Sequence, residues 1–385
     1  MKRYQRYLLN MMKGITLISI ILFTYLIFYS WQEISRMNHE LNAGEERLKQ
    51  EVETYLNNHR GKYFPSECFP EKVLRVHYPN LHCKEKESCH FLASCHIHHD
   101  NVTDPDKVNI YVYGGSSVIK NIPTFTYFLQ EYMKEKVEVT NFGISGIDSH
   151  TIKKRVESTI DDYGSPDLVI IYSGHNDYAN FFHRMVNSFF RDFFTWSSRL
   201  LPFRTHNPDP GRDMRGPLFN LLQDSGLVSF DARRFDIIKE KLLDVYVENN
   251  EEIQHFLSER DVPVLYLTTI GNLQVEPYGD IDTTRQYFRK GVEEEDYNKS
   301  IDLLRKAMDS EIFTYDVRAP KMLNDYIRSL DGENLYTLDI EQKMKKNGSE
   351  FGGNEFTDYL HITQDVHEYI AELLHEFIIN NNVIG

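Results

Sequence analysis

"YVYGGSSVIKNI", residues 111–122, leaves an apolar β-type run through two glycines and two serines and enters an amphipathic stretch. Gly114 and Gly115 account for a tight turn after a strand, because glycine tolerates backbone conformations other residues avoid. Two hydroxyls, Ser116 and Ser117, are not needed for the turn, so one of them is a candidate for chemistry. Working outward, the same alternation recurs. "VNIYVYGGSS" reads as a strand and "TFTYFLQEYMKE" as a helix; "VEVTNFG" follows as a strand, "SHTIKKRVESTIDD" as a helix and "PDLVIIYSG" as a strand. "FDIIKEKLLDVYVENNEEIQHFLSER" predicts a long helix before the strand "VPVLYLTTI", and "YNKSIDLLRKAMDS" a helix before the strand "EIFTYDV". In "TQDVHEYIAELLHEFIINN", Val366, Ile370, Leu373, Leu374 and Phe377 trace one helical face. Buried strands alternating with amphipathic helices predict an α/β fold with a parallel sheet covered on both faces. Sites in such sheets form beyond the carboxyl ends of the strands, which is where Ser116 falls.

The bulk composition fits a folded chain with ample core: 385 residues, 41% hydrophobic, 26% charged and 13% aromatic. A net charge of -15 argues against nucleic acid as the main partner, since phosphate binding needs Lys and Arg gathered on one face.

Gly14 to Trp31, "GITLISIILFTYLIFYSW", carries no charged side chain. As a helix it extends roughly 27 Å, close to the hydrocarbon thickness of a bilayer. Lys2, Arg3, Arg6 and Lys13 precede it, whereas only Arg36 follows closely among basic residues, so the N-terminus is expected in the cytoplasm and the rest of the chain across the membrane. A cleaved signal peptide is the rival reading, but no small-x-small cleavage site follows the run. Residues 1–31 are thus expected as a cytoplasmic tip and signal anchor, and 32–62 as a helical stalk. Residues 63–106 form a Cys/His-rich segment with all four cysteines, Cys68, Cys83, Cys89 and Cys95. Outside the cytoplasm two disulfides are expected, with the pairing open. The alternative is a metal site drawing on Cys89, Cys95, His96, His98 or His99, although the spacing fits no common zinc pattern. Residues 107–385 form the catalytic domain, with insertions at about 180–230, rich in Phe, and at about 271–295, acidic and loop-like.

Three further strand or loop ends complete a constellation. "NFGISGIDS" (141–149) follows the second strand, "SGHNDY" (173–178) the third, and "DYLHIT" (358–363) precedes the last helix. With "YGGSSV" these blocks resemble, in order and context, those of the SGNH/GDSL hydrolases, over roughly residues 107–380. The resemblance implies a three-layer, flavodoxin-like parallel sheet. It matches Ser116 to the family's nucleophile, and Asp358 and His361 to the D-x-x-H pair. Ser116, Gly146 and Asn176 match the oxyanion donors, two through backbone N–H groups and the last through its side-chain amide. Gly115 departs from the Asp that many members carry, and Ser117 leaves open which hydroxyl acts.

The chemistry also stands on the residue types. Attack on an ester carbonyl needs a hydroxyl whose proton a histidine removes and a carboxylate that holds the imidazole. The oxyanion needs fixed donors: Gly146 lets backbone approach, and Asn176 offers an amide that does not titrate. Asp177 is expected to order its own loop. No G-x-S-x-G elbow, Walker-type loop or dinucleotide fingerprint is present in the sequence, and no cofactor or metal is needed. The expected function is a membrane-anchored, extracytoplasmic serine esterase acting on acyl or acetyl esters of an envelope glycan or lipid. Its alternatives are an O-acyltransferase and a catalytically silent binding domain.

Overall fold

The sheet explains why the alternation was visible. In the computed structural model the described residues are 106–119, 123–178, 234–275, 282–310, 318–346 and 353–384, with short pieces at 81–83 and 95–97 and helical positions at 24–25, 28–29, 31–32 and 35. The two short pieces, β1 (Leu81–Cys83) and β2 (Cys95–Ile97), pair antiparallel with Cys83 opposite Cys95. Five strands build the main sheet: β3 (Val108–Gly114), β4 (Val137–Asn141), β5 (Leu168–Tyr172), β6 (Val264–Leu267) and β7 (Leu335–Leu338). All neighbours are parallel and the order is β4-β3-β5-β6-β7.

Period-two side-chain alternation divides the core into two layers. On one face Ile110, Val112, Leu168, Ile170, Leu265 and Leu267 pack beneath α2 (Phe125–Met133), α7 (Tyr297–Asp309) and α10 (Gln364–Asn380). On the other, Tyr111, Tyr113, Val169, Ile171, Val264 and Tyr266 pack beneath α3 (Ser149–Tyr163), α5 (Arg234–Ser258) and α8 (Lys321–Ser329). With both faces covered, β5 and β6 are buried along their whole length, which is why they read as unbroken apolar runs. Short helices α1 (Ser116–Ile119), α4 (His175–Asp177) and α9 (Ile340–Lys346) follow β3, β5 and β7 directly.

Two expectations need revision. The edge strand β7 comes from "LYTL", which had no place among the predicted strands. It is short and its first three residues are only half-buried, so it carries neither the length nor the apolar run that marks an inner strand. Residues 271–295, read as acidic loop, contain α6 (Asp282–Glu293), packed against α7. Its contact face is built from Thr284, Phe288 and Gly291, on which Leu304 sits, so close approach by small residues replaces the expected apolar stripe. The "EIFTYDV" strand and the Phe-rich insertion lie outside the described residues. So do most of the Gly14–Trp31 run and of the stalk, and Cys68, Cys89, His98 and His99. Among the described residues no helix is long and apolar enough to cross a membrane, and no three His, Cys, Asp or Glu side chains gather in a way that could hold a metal ion.

The chain runs β3 to the outer β4, then back across to β5, so the strand order reverses around β3. Crevices open at such a switch point, beyond the carboxyl ends of β3 and β5. Ser116 follows one of these strands and Asn176 the other.

Candidate active site

The turn after β3 is closed by the Val118 N–H donating to the Gly115 carbonyl at 3.1 Å, which sets Ser116 at the first position of α1. Ser116 is half-buried, whereas Ser117 is buried, 6% exposed. His361 arrives from the far end of the chain, with Nε2 2.8 Å from Ser116 Oγ. Its Nδ1 lies 2.7 Å from Asp358 Oδ2. The hydroxyl facing the imidazole is therefore that of Ser116.

The Asp358–His361 pair is set by its own loop. Asp358 Oδ1 accepts from the backbone N–H groups of Leu360 at 3.0 Å and His361 at 2.8 Å. The Thr357 N–H closes the turn onto the His361 carbonyl at 2.8 Å. Burial by itself raises the Asp358 carboxyl, but the hydrogen bond from the imidazole and those two backbone N–H groups outweigh it and hold the acid well below the usual carboxylate range. Asp358 is thus an anion at neutral pH and accepts from Nδ1–H, which selects the neutral tautomer whose Nε2 can accept the Ser116 hydroxyl.

The other wall of the crevice comes from the loops after β4 and β5. The Ile144 N–H donates to the Gly114 carbonyl at 3.0 Å, so the loop that carries Gly146 runs beside the serine turn. Gly146 has φ +82°, a left-handed conformation that side chains disfavour, and this accounts for glycine there. Gly115 has a different reason. A Cβ built on it would stand 2.1 Å from Asn176 Nδ2 and 3.5 Å from the Ile147 carbonyl oxygen. Its missing side chain lets the Asn176 amide lie against the serine turn. Gly115→Ala is therefore expected to fold, because the displaced atom is the end of a side chain, yet to lower kcat on the order of 10²-fold with KM nearly unchanged, as loss of one oxyanion donor does. Steady-state kinetics on a p-nitrophenyl ester check this; wild-type kcat would show that Asn176 has no part in rate.

Asp177 ties these loops together. Its Oδ1 accepts from the Ser149 N–H at 2.9 Å, at the start of α3, where Asp148 caps the helix by accepting from the Thr151 N–H. Burial, and then the nearby Asp148 charge, push the Asp177 carboxyl up to about 7. The ordinary value in an unfolded chain is about 4. Between these values the native state keeps a proton that the unfolded state has released, so stability falls as pH rises through that window and levels above it. Asp177→Asn removes the titration and keeps the acceptor. The wild-type unfolding midpoint, measured relative to that of the variant, is expected to fall between about pH 4.5 and about pH 8. A constant difference would contradict it.

Three residues near the site carried no mark in the sequence. Asn272, after β6, donates from its backbone N–H to the Tyr359 carbonyl at 2.9 Å and from Nδ2 to the Asp358 carbonyl at 3.1 Å. Arg318 donates to the Asn272 carbonyl, and the Ala319 N–H donates to His175 Nδ1 at 2.8 Å. Their contacts span tens to hundreds of positions, and no local pattern reveals them.

A doubly covered parallel sheet with Ser, His and Asp in hydrogen-bonded sequence at the reversal of strand order has the constellation of a serine hydrolase. A family model described as GDSL-like lipase/acylhydrolase matches residues 114–374, more than half of the chain. The chain belongs to that family and is a serine hydrolase acting on ester bonds. No curated protein matches the sequence. Solved structures similar to it include a GDSL-like lipase of Bacteroides thetaiotaomicron (11% identity, TM-score 0.36, covering 73% of this chain and 92% of that one). Another is a lipolytic G-D-S-L family protein of Veillonella parvula (11% identity, TM-score 0.35, 70% and 97%). A third is an acetyl xylan esterase (14% identity, TM-score 0.34, 70% and 99%).

Proposed function

We propose that Ser116 is the nucleophile of a membrane-anchored, extracytoplasmic esterase that removes acyl or acetyl groups from an envelope glycan or lipid. The observation that carries the chemistry is the relay from Ser116 Oγ to His361 Nε2 at 2.8 Å and from His361 Nδ1 to Asp358 Oδ2 at 2.7 Å. As Oγ attacks the ester carbonyl, His361 takes its proton and Asp358 stabilises the resulting imidazolium. The carbonyl oxygen becomes an oxyanion facing the Ser116 and Gly146 N–H groups and the Asn176 amide. Collapse expels the alcohol, which receives the proton from His361 and leaves an acyl-serine. Water, deprotonated by the same imidazole, then releases the acid and restores the hydroxyl.

The anchor is supported by the uncharged Gly14–Trp31 run and by the four basic residues, Lys2, Arg3, Arg6 and Lys13, that precede it. Cells expressing the full chain with a C-terminal tag test the placement. The tag is expected to stay with membranes through an alkaline carbonate wash and to be removed by protease added outside. A tag that is washed off or protected would overturn it. Turnover of p-nitrophenyl acetate against octanoate tests the chemistry: faster acetate release favours de-acetylation and faster octanoate release a lipid. Absence of turnover with both, in folded protein, contradicts the esterase.

A further inference from the structure

We infer that the segment Arg318–Ala319 is a two-sided brace that positions the base arm of the site through Asn272 and the oxyanion arm through His175. The inference rests on the reading of Ser116, His361 and Asn176 given above.

On the base side, Asn272 holds the Asp358–His361 loop at two successive carbonyls, Asp358 at 3.1 Å and Tyr359 at 2.9 Å. Asn272 is itself fixed: its Oδ1 accepts from the Gln274 N–H at 3.0 Å, and its carbonyl accepts from the Arg318 guanidinium. The same guanidinium reaches the Val275 carbonyl at 3.4 Å, while the aliphatic stem of Arg318 lies on Gly271, whose absent Cβ would stand 3.0 Å from Arg318 Cγ. Arg318 is 3% and Asn272 8% exposed, so these bonds are shielded from water.

On the oxyanion side, the next residue, Ala319, donates its N–H to His175 Nδ1 at 2.8 Å. His175 immediately precedes Asn176 and is 6% exposed. Burial, followed by the charge of His361, pushes its pKa down to about 3. His175 is therefore a neutral imidazole with its proton on Nε2, and Nδ1 is a permanent acceptor for Ala319. Neutrality also matters to the neighbouring base, since a second imidazolium would oppose the charge that develops on His361. Two catalytic loops distant in sequence thus hang from adjacent residues at the entry to α8, one from the Arg318 guanidinium and one from the Ala319 N–H, where Pro320 precedes the first turn. These are positioning residues, acting through Asp358 and Asn176 rather than on substrate.

The test compares Asn272→Ala, His175→Ala and His175→Asn with wild type on p-nitrophenyl acetate across pH, with Ser116→Ala in parallel. Asn272→Ala is expected to lower kcat about 10- to 100-fold with KM nearly unchanged, the scale of a small misplacement of reacting groups. It should also move the acid limb of the kcat/KM profile to lower pH, because a loosened Asp358 stabilises protonated His361 less. Partial unfolding would lower the amplitude without moving that limb. His175→Ala should lower kcat to a similar extent with the limb in place, and His175→Asn, whose Oδ1 can accept from Ala319, should restore most of it. An unmoved limb in folded Asn272→Ala, or His175→Asn reduced more than about 10-fold below wild type, overturns the brace. If His175→Ala does not fold, the comparison of His175→Asn with wild type decides. If Ser116→Ala retains full turnover, the reading of the site fails instead, and the two failures are distinguishable.

Discussion

Ser116→Ala removes ester hydrolysis, lowering kcat on the order of 10⁶-fold, while the protein stays folded and KM, where measurable, changes little. The expectation follows from the 2.8 Å contact with His361: without Oγ there is no acyl acceptor, and what remains is binding and oxyanion stabilisation. Ser117→Ala is the control. That side chain is buried, and it is the Ser116 hydroxyl that meets His361 Nε2, so near wild-type turnover is expected. Equal loss in the two variants would mean that the turn, rather than one hydroxyl, had been disturbed.

His361→Ala is expected to lower kcat to a comparable extent, because nucleophile and base act as one unit and their losses do not add. The double variant Ser116→Ala/His361→Ala should therefore be no slower than either single one. Multiplying losses would contradict a shared relay. Asp358→Asn should be milder, on the order of 10⁴-fold, since the relay geometry survives but the wrong imidazole nitrogen carries the proton. Here the backbone bonds from Leu360 and His361 to Oδ1 hold the side chain, so this variant changes the partner of Nδ1 while the loop stays in place.

The residues themselves announced most of the frame. β3, β5 and β6 were legible because a strand buried on both faces needs apolar residues throughout, and each ends at a polar or glycine-bearing turn. β7 was not, because an edge strand is solvated on one side and tolerates the half-exposed Leu335, Tyr336 and Thr337. Nor was α6, where Gly291 and Thr284 admit a neighbour that bulky residues would have advertised. At the site, Ser116 Oγ meets His361 Nε2 and His361 Nδ1 meets Asp358 Oδ2, side chains drawn from opposite ends of the domain. Asn176 and Gly146 lie on the loops beside the serine turn.

What escaped is of a different physical kind. Gly115 looked like a departure from a motif, yet its missing Cβ is the space that Asn176 Nδ2 needs. Asn272, His175 and Arg318 act through one or two long-range hydrogen bonds each, most of them to backbone carbonyls, which any fold could place and no periodicity records. Asp177, expected only to order its own loop, spans to α3 through the Ser149 N–H. Catalytic groups must be of particular types and so leave a trace, whereas their supports need only be within reach.

The most direct measurement is peptide mapping of the folded protein after reaction with a fluorophosphonate, which needs a hydroxyl activated by a nearby base. The adduct is expected on Ser116 alone, and absent from His361→Ala. An adduct on Ser117, or a folded wild-type protein that never labels, would contradict the account.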